Sequence, residues 1–342
     1  MNGSPLTGAR VLVTGGAGFI GSHLVEALCR AGAVVRVLDD FSTGRIQHLA
    51  AVADRVEIIE GDIRNLARCR EACRGAHYVF HLAALGSVPR SLEDPAESIA
   101  VNVAGTANVF AAARDAGTRR VVYASSSSVY GDSTASPKRE GEEGRVLSPY
   151  AASKGMDEEL GRLFADCFAF ESIALRFFNV YGPRQNPNGA YAAVIPRFFS
   201  SLLCGRPVTV YGDGFQSRDF TFVGDAVSAV LAAAAASPAA CGRAYNVGSG
   251  ASTTLLDLER AIRELVGGGP PPQFAPSRPG DVKNSLAATD DALRAFGYRA
   301  RVELRQGLES CLAFYRESHG WHPGEAPRAA GWACERPAPF AG

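Results

Sequence analysis

The sequence carries no excess of either charge. Lys and Arg together number 35, Asp and Glu together number 35, and the formal net charge is therefore zero. This balance excludes binding modes that depend on bulk attraction to nucleic-acid phosphates or to anionic lipid. We therefore expect no nucleic-acid and no membrane partner, and any anionic ligand must be held by a few local groups.

Long apolar runs and paired cysteines are also missing. The most apolar stretch, 226–236, is much shorter than the roughly 18 residues that indicate a membrane span, and residues 1–10 have no signal-peptide core. The eight cysteines form no CxxC pair and have no histidine at zinc-ligand spacing. These absences predict a cytoplasmic protein with reduced, buried thiols and no metal site.

The first half of the chain contains a regular alternation of short apolar strands and helices. Strands are predicted at 10–14, 34–38, 56–60, 78–82, 120–125 and 173–178, and helices at 18–31, 65–73, 96–116 and from 149 onward. This alternation is typical of an α/β fold with a Rossmann-like, doubly wound parallel sheet. Beyond 178 the pattern loosens into Gly, Pro and Asn-rich connections, which predicts a smaller, interleaved C-terminal substrate lobe.

We expect three parts in the chain. Residues 1–178, joined by about 220–248, should form the dinucleotide-binding domain. Residues about 179–219 and 249–318 should form the lobe, because 220–236 and 244–248 have the pattern of a helix and a strand that return to the sheet. Residues 319–342 lack periodicity and should form a loose tail.

A glycine-rich turn follows the first predicted strand. Gly15, Gly18 and Gly21 allow a tight turn, a close backbone approach to a pyrophosphate and close helix packing at a helix N-terminus. The next strand ends in Asp39, where a carboxylate can accept from both ribose hydroxyls of adenosine. Because that carboxylate would repel a 2′-phosphate, the pattern favours NAD over NADP.

Residues after the third strand extend the predicted cofactor site. Asp62 is placed to accept from an adenine amino group, and Ile63 to cover the ring. Asp62 is equally suited to cap the helix that follows.

A second motif opens the helix at 149. Ser148 and Pro149 have the chemistry of an N-cap and a first helical residue, and Tyr150 and Lys154 lie four apart on one face. An ammonium beside a phenol favours the phenolate, so Tyr150 is a candidate general base. The strand at 120–125 runs into the serine cluster 125–128, and a serine at the carboxyl end of a parallel strand faces the ligand crevice.

These motifs resemble one known family. TGGAGFIG (14–21), Asp39, GDI (61–63), HLAA (81–84), SSSSVYG (125–131) and Tyr150-x-x-x-Lys154 are similar to the extended short-chain dehydrogenase/reductases that act on nucleotide sugars. ALGSVPRS (84–91), RQNPNGAYAAVIP (184–196), GDGFQSRDF (212–220) and RPGDVKNS (278–285) bring the chain closest to the UDP-sugar 4-epimerases, in the branch acting on UDP-GlcNAc and UDP-GalNAc.

The resemblance implies roles for individual residues. The catalytic set is Ser126, Tyr150 and Lys154. The implied NAD-binding residues are Gly15, Gly18, Phe19, Ile20, Asp39, Phe41, Ser42, Thr43, Gly44, Asp62, Ile63, Leu82, Ala83, Ala84, Asn102, Ser125, Tyr150 and Lys154. The implied substrate-binding residues are Ser87, Ser126, Ser127, Ser128, Tyr150, Asn179, Ala193, Val194, Tyr211, Arg218, Arg278, Asp281 and Ser285.

The implied reaction is a 4-epimerisation with bound NAD and no metal. Tyr150 takes the proton of the sugar 4-hydroxyl as hydride leaves C4, and the 4-keto sugar turns over before hydride returns. The resemblance also implies a homodimer packed through the helices at 96–116 and 149–168.

The residues at a few positions distinguish this reaction from those of related enzymes. Related 4,6-dehydratases and decarboxylases carry acidic residues where this chain has Ser127 and Ser128, which disfavours both. Uronate epimerases usually have Thr at the position of Asn179 and Arg at that of Asn186, which favours an uncharged sugar. Ser285 stands where strict UDP-galactose enzymes hold a tyrosine, leaving room for a 2-acetamido group.

Several alternatives stay open at this point. UDP-GlcNAc and UDP-GalNAc are the leading candidate substrates, and UDP-Glc and UDP-Gal are acceptable as further substrates. A UDP-glucuronate or a UDP-N-acetylhexosaminuronate remains an alternative, because an open serine cluster can bind a carboxylate. A non-enzymatic NAD-binding sensor is disfavoured because Tyr150 and Lys154 are both present.

Overall fold

The computed structural model describes residues 5–187, 192–277 and 283–319. Its strands are β1 (Arg10–Thr14), β2 (Val34–Asp39), β3 (Val56–Glu60), β4 (Tyr78–His81), β5 (Arg120–Ser126), β6 (Ser172–Phe177), β7 (Val180–Tyr181), β8 (Thr209–Tyr211), β9 (Ser217–Arg218), β10 (Thr221–Phe222), β11 (Arg243–Val247), β12 (Thr253–Thr254) and β13 (Gln273–Ala275).

The helices connect these strands. They are α1 (Phe19–Arg30), α2 (Leu66–Cys73), α3 (Val88–Glu93), α4 (Pro95–Ile99), α5 (Gly105–Asp115), α6 (Pro149–Phe168), α7 (Val194–Leu203), α8 (Val223–Ala235), α9 (Leu255–Val266), α10 (Asp290–Phe296) and α11 (Leu304–His319). A π-helical turn, Ala100–Ala104, joins α4 to α5, and short 3₁₀ segments cover Ile46–Arg55, Ser127–Tyr130 and Pro238–Ala240.

A seven-stranded parallel sheet forms the centre of the fold. Its order is β11-β6-β5-β4-β1-β2-β3, so the winding reverses between β1 and β4. The predicted doubly wound sheet is confirmed. In such sheets the crevice outside the carboxyl ends of the strands at the reversal is where ligands bind.

Two apolar layers cover the faces of this sheet. On one face, α1 and α8 pack against β1, β6 and β11 through residues such as Leu24, Val25 and Val230. On the other face, α2, α5 and α6 pack through Cys73, Phe110 and Phe164. The strands β1, β4, β5 and β6 are therefore buried on both faces and are apolar runs, whereas the edge strand β3 has no buried residue.

A separate cluster forms the core of the smaller lobe. Phe199 and Leu203 of α7, Leu258 and Ile262 of α9, and Leu308 of α11 pack together. Helix α8 packs on the main sheet and β11 pairs with β6, between two segments of the lobe. The lobe is therefore interleaved with the sheet.

The cysteines differ in their exposure. Of the cysteines in the described residues, Cys69, Cys73 and Cys311 are buried, but Cys167 is exposed at the end of α6, so the expectation that every thiol is buried is wrong. The predicted tail at 319–342 lies outside the described residues apart from His319. No helix among the described residues is long and apolar enough to cross a membrane.

Candidate active site

One large cleft opens at the carboxyl ends of β1, β4 and β5. Its volume is about 1000 Å³, and its wall includes the glycine-rich turn after β1, the end of β2, the serine cluster after β5 and the start of α6. The reversal of the sheet places these segments together, although Gly15 and Tyr150 are 135 positions apart in the sequence.

The glycine-rich turn has no room for side chains. Gly15 has φ +70°, and a Cβ there would lie 2.7 Å from the backbone nitrogen of Ala83 on the loop after β4. A Cβ on Gly21 would overlap the carbonyl oxygen of Gly15. The turn leads into α1 at Phe19, whose first-turn N–H groups have no intrahelical acceptor and so suit a phosphate.

Asp39 ends β2 at the wall of the cleft. Its Oδ2 accepts from the Ala17 N–H at 2.8 Å and its Oδ1 from the Phe41 N–H at 2.9 Å. Burial raises the pKa of this carboxyl, and these two hydrogen bonds oppose the rise. The backbone thus fixes the carboxylate beside the glycine-rich turn, where the sequence predicts the adenosine ribose.

Asp62 and Ile63 also line the cleft, but Asp62 is not a helix cap. Asn65 caps α2 by accepting from the backbone N–H groups of Ala67 and Arg68. Asp62 instead accepts from the side chain and backbone of Arg64, and the side-chain hydrogen bond lowers its pKa. The capping interpretation is therefore wrong, and the carboxylate remains at the cleft.

Helix α6 carries the tyrosine and the lysine as predicted. The Ser148 hydroxyl accepts from the Ala151 N–H at 3.1 Å, and Pro149 is the first helical residue. The backbone N–H of Tyr150 donates to the Ser91 hydroxyl on α3 at 3.1 Å, which holds the start of α6 against the neighbouring helix. Tyr150 and Lys154 both line the cleft.

The serines of the cluster 125–128 differ in the contacts of their hydroxyl groups. Ser125 donates its hydroxyl proton to Glu158 on α6, so while that bond is kept its Oγ can only accept a hydrogen bond from a ligand. Ser126 Oγ accepts from the Ser128 N–H at 3.1 Å and keeps its own proton for donation. Ser126, Ser127 and Ser128 all line the cleft.

A buried arginine joins three segments of the site. Arg176 on β6 donates to both carboxylate oxygens of Glu158 at 2.9 and 2.7 Å, to Glu143 in the loop 131–148, and to Tyr130 Oη at 3.0 Å. Burial lowers the pKa of Arg176, but the hydrogen bond with Glu158 and its charge outweigh burial and raise it. Because Glu158 also accepts from Ser125, this group links α6, the end of β5 and the loop.

The lobe closes the other side of the cleft with Arg218 and Ser285. Arg218 ends β9 and donates through Nη1 to the Ser217 carbonyl at 2.8 Å. The Ser285 N–H donates to the same carbonyl at 3.1 Å, so the Arg218 side chain and the Ser285 backbone share one acceptor. Both line the same cleft as the serine cluster and Tyr150.

Most of the predicted site residues line this one cleft. They are Gly15, Gly18, Phe19, Ile20, Asp39, Ser42, Thr43, Gly44, Asp62, Ile63, Leu82, Ala83, Ala84, Ser125, Ser126, Ser127, Ser128, Tyr150, Lys154, Asn179, Arg218 and Ser285. Those that lie apart from its wall are Phe41, Ser87, Asn102, Ala193, Val194 and Tyr211. Arg278 and Asp281 lie outside the described residues.

Two of the residues set back from the wall shape it through hydrogen bonds. The fully buried Asn102 accepts from the Leu85 N–H at 2.8 Å and donates to the Ser153 hydroxyl at 3.0 Å, fixing the loop after β4 against α6. Ser87 caps α3 by accepting from the Arg90 N–H. In this structure both side chains support the loop.

Sequence reasoning did not single out Lys138 and Gln185, which also line the cleft. Lys138 is 4% exposed, and its Nζ donates to the Ser133 carbonyl. Its backbone pairs with Leu286 and Ala288, next to Ser285. The only local signal was a lone lysine in the loop 131–148, and the pairing that brings it to the cleft spans about half the chain.

The similarity of the chain to known proteins agrees with the geometry of the cleft. The profile of the NAD dependent epimerase/dehydratase family matches residues 11–248. The UDP-glucose 4-epimerase of Mycolicibacterium smegmatis (strain ATCC 700084 / mc(2)155) is 39% identical over 316 residues, which are 90% of this chain and 98% of that protein.

Two solved structures show the same fold. The UDP-N-acetylglucosamine 4-epimerase from Methanobrevibacter ruminantium M1, in complex with UDP-N-acetylmuramic acid, has a TM-score of 0.87 and 34% identity, covering 91% of this chain and 99% of that one. MoeE5, in complex with UDP-glucuronic acid and NAD, has a TM-score of 0.80 and 36% identity, covering 91% and 100%.

The cleft fits NAD on two observations. The turn at Gly15 is closed to any Cβ, as a backbone that contacts a pyrophosphate requires, and Asp39 presents a fixed carboxylate at the end of β2. Together with the match over 11–248, these features identify the cofactor as NAD. The chain belongs to the NAD dependent epimerase/dehydratase family.

Proposed function

We propose that this protein is a 4-epimerase of UDP-hexoses that interconverts UDP-GlcNAc and UDP-GalNAc, with UDP-Glc and UDP-Gal as further substrates. The observation that carries the proposal is the meeting of Tyr150, Lys154 and Ser126 with Asp39 and Ser285 around one cleft. This set combines a base, a dinucleotide site and a small residue at the sugar end.

In the proposed chemistry each catalytic side chain has one role. Tyr150 accepts the proton of the sugar 4-hydroxyl, Lys154 stabilises the phenolate through its charge, and Ser126 donates its free hydroxyl proton to the substrate oxygen. NAD, when bound, supplies the acceptor for the C4 hydride. Return of the hydride to the opposite face of C4, together with return of the proton from Tyr150 to the C4 oxygen, would complete the inversion.

The serine cluster supports epimerisation over elimination. Loss of water or of carbon dioxide by related enzymes uses an acid where this chain has Ser127 and Ser128, and both serines line the cleft. The neighbouring carboxylate Glu158 is held by Arg176 and Ser125. Glu158 therefore has a structural role and is not available as a catalytic acid.

Ser285 supports an N-acetylated sugar. Its backbone is tied to Ser217, and its short side chain leaves space in the cleft wall beside Arg218. A tyrosine at this position would fill that space. We therefore infer that a 2-acetamido group is accommodated there, and that Arg218 binds the diphosphate by a forked contact.

One observation favours the uronate alternative. Lys138 lines the same cleft, and its ammonium makes no ion pair with any of the described residues. Burial lowers the pKa of Lys138, which a carboxylate on the bound sugar would oppose. A UDP-hexuronate is therefore the second candidate substrate.

We also propose a homodimer in which α6 contributes to the contact. Met156 and Leu163 lie seven positions apart, on one face of α6, and are 48% and 42% exposed. These apolar side chains suit a helix-to-helix interface.

The deciding experiment compares kcat/KM for UDP-GlcNAc, UDP-Glc and UDP-GlcA, without added cofactor. We expect turnover of UDP-GlcNAc to be fastest, Tyr150→Phe to lose about 10²–10⁴-fold in kcat while NAD stays bound, and Ser285→Tyr to lose only the N-acetylated substrates. Ser285→Ala is the matched control and should retain all of them. Preference for UDP-GlcA would overturn the substrate assignment, and an active Tyr150→Phe would overturn the mechanism.

A further inference from the structure

Lys154 is held from two sides inside the fold. It is 3% exposed, and its Nζ donates to the Ala124 carbonyl of β5 at 3.0 Å and to Asp157 Oδ2 at 3.1 Å. Asp157 lies one helical turn further along α6 and is 1% exposed. Of the three N–H bonds of the ammonium, one is left over for a ligand in the cleft.

The charge of Lys154 depends on its surroundings. Burial alone lowers the pKa of Lys154, but Asp157, followed by Tyr150, outweighs burial and raises it. Burial in turn raises the pKa of Asp157, and Lys154 opposes that rise. A lone ammonium at this depth would lose its hydration without compensation.

The other ionisable groups around Lys154 do not replace Asp157. On β4, His81 lies between Thr14 Oγ1 at 2.6 Å and Thr106 Oγ1 at 2.9 Å, and burial, with Lys154 second, lowers its pKa to about 3, so it is neutral. On α6, Glu158 is the next carboxylate, and Arg176 from β6 binds it through two hydrogen bonds.

We propose that Asp157 is a positioning residue that keeps Lys154 protonated and fixes its ammonium beside Tyr150. The inference rests on the proposed function, because it assumes that Lys154 assists Tyr150. Asp157 anchors one N–H and Ala124 anchors another, so the third is held toward the cleft. The carboxylate also balances the ammonium, so Tyr150 faces an ion pair whose cation stays charged over the working pH range.

A purely structural role makes a different prediction. A buried ion pair contributes little stability compared with apolar residues of the same size. If Asp157 only filled space on α6, an isosteric neutral residue would leave the titration of Lys154 unchanged. The titration of Lys154 therefore separates the two roles.

The composition of the chain makes this titration measurable. The sequence contains only three lysines, Lys138, Lys154 and Lys283, so [¹³Cε]-lysine labelling of the NAD-loaded protein gives three signals. Lys138→Met and Lys283→Met assign two of them and leave the third to Lys154. In the wild type we expect Lys154 to remain charged up to at least its ordinary pKa of about 10.4.

The variants test the dependence on Asp157. In Asp157→Asn the Lys154 midpoint should fall by about one to three pH units, and Asp157→Glu should restore it in part. Glu159→Gln is the matched control, since Glu159 is an exposed carboxylate on the same helix that pairs with Arg162, and it should change nothing. A wild-type Lys154 that loses its proton below about pH 9, or an unshifted Asp157→Asn, overturns the proposal.

Turnover provides a second, separable readout. Asp157→Asn should lose kcat as pH rises, following the Lys154 midpoint, and should stay within about tenfold of wild type at the acid end. An equal loss at every pH would mean a structural role only. The spectra need no sugar substrate, so they decide the role of Asp157 even if the wild type turns over none of the UDP-sugars and the proposed function fails.

Discussion

The clearest quantitative prediction concerns Arg176. Replacing it with methionine keeps the aliphatic length but removes the hydrogen bonds to Glu158, Glu143 and Tyr130 Oη. Because Arg176 is only 6% exposed, two carboxylates then lose their cation in a largely dehydrated setting. Removing one partner of a buried pair costs about 3–5 kcal/mol, and we expect the free energy of unfolding to fall by that amount.

The size of the effect depends mainly on Glu158. Its side chain is 15% exposed, whereas that of Glu143 is 30% exposed and is better hydrated. Glu143→Gln, which leaves the contact between Arg176 and Glu158 intact, should therefore cost no more than about 1 kcal/mol. Glu143→Gln should affect activity more strongly than stability, because Glu143 orders the loop 131–148 that lines the cleft.

The stability difference should also depend on pH. Burial raises the pKa of Glu143, but hydrogen bonds from the Gly141 N–H and from Arg176 outweigh it and hold that pKa below its usual 4.5. A lowered carboxyl pKa contributes stability above the unfolded-state pKa and loses it as pH falls through the folded-state value. The gap between wild type and Arg176→Met should thus narrow on acidification below about pH 4.5.

Urea titration of the NAD-loaded protein, followed by circular dichroism, measures these free energies. Arg162→Met is the matched control, because Arg162 is an exposed arginine on α6 that pairs with Glu159 and Asp166, and it should leave the midpoint unchanged. If Arg176→Met unfolds within about 1 kcal/mol of wild type, the link between α6, β5 and the loop does not contribute as argued.

Two further predictions concern the cofactor and the oligomer. Asp39→Asn puts an amide where the carboxylate accepts from two backbone N–H groups, and should weaken NAD affinity by about 10–100-fold in calorimetry of NAD-stripped protein. Asp54→Asn is the control, because Asp54 is exposed and lies away from the cleft wall, and it should leave the affinity unchanged. Met156→Glu with Leu163→Glu should convert a dimer to a monomer in sedimentation velocity, and a wild type that sediments as a monomer would refute the interface.

The regular part of the fold was predictable because its signals are local. The central strands of the main sheet are short apolar runs buried on both faces, and the observed bounds of all its strands differ from the predicted ones by one residue at most. The start of α6 was predictable for the same reason, since Ser148 and Pro149 act through adjacent backbone groups. Helix α3, six residues long, is too short to show a period, and it was missed.

The site was predictable in its motifs and less so in its contacts. Asp62 and Asn65 are both good caps, and only the backbone geometry after β3 decides that Asn65 caps α2. The pair between Lys154 and Asp157 is visible as an i, i+3 spacing, but such spacings usually lie on the surface. Lys138 reaches the cleft by pairing with a segment about 150 residues away, and no local pattern reports that contact.

The interleaving of the lobe with the sheet affects how the protein folds and moves. After β6 the chain passes through β7 to β9 in the lobe and returns to the sheet with α8 and β11. It leaves again with α9 and β13 and returns with α10, and the described residues end in α11.

Edge strand β11 pairs with β6 across more than sixty intervening residues, so the sheet is completed only after part of the lobe has been synthesised. Such non-local pairing slows folding. The many connections also leave no single hinge between the two parts. A fragment ending at β6 would expose the sheet face that α8 covers, and an exchange of lobes between relatives would have to replace several segments of chain at once.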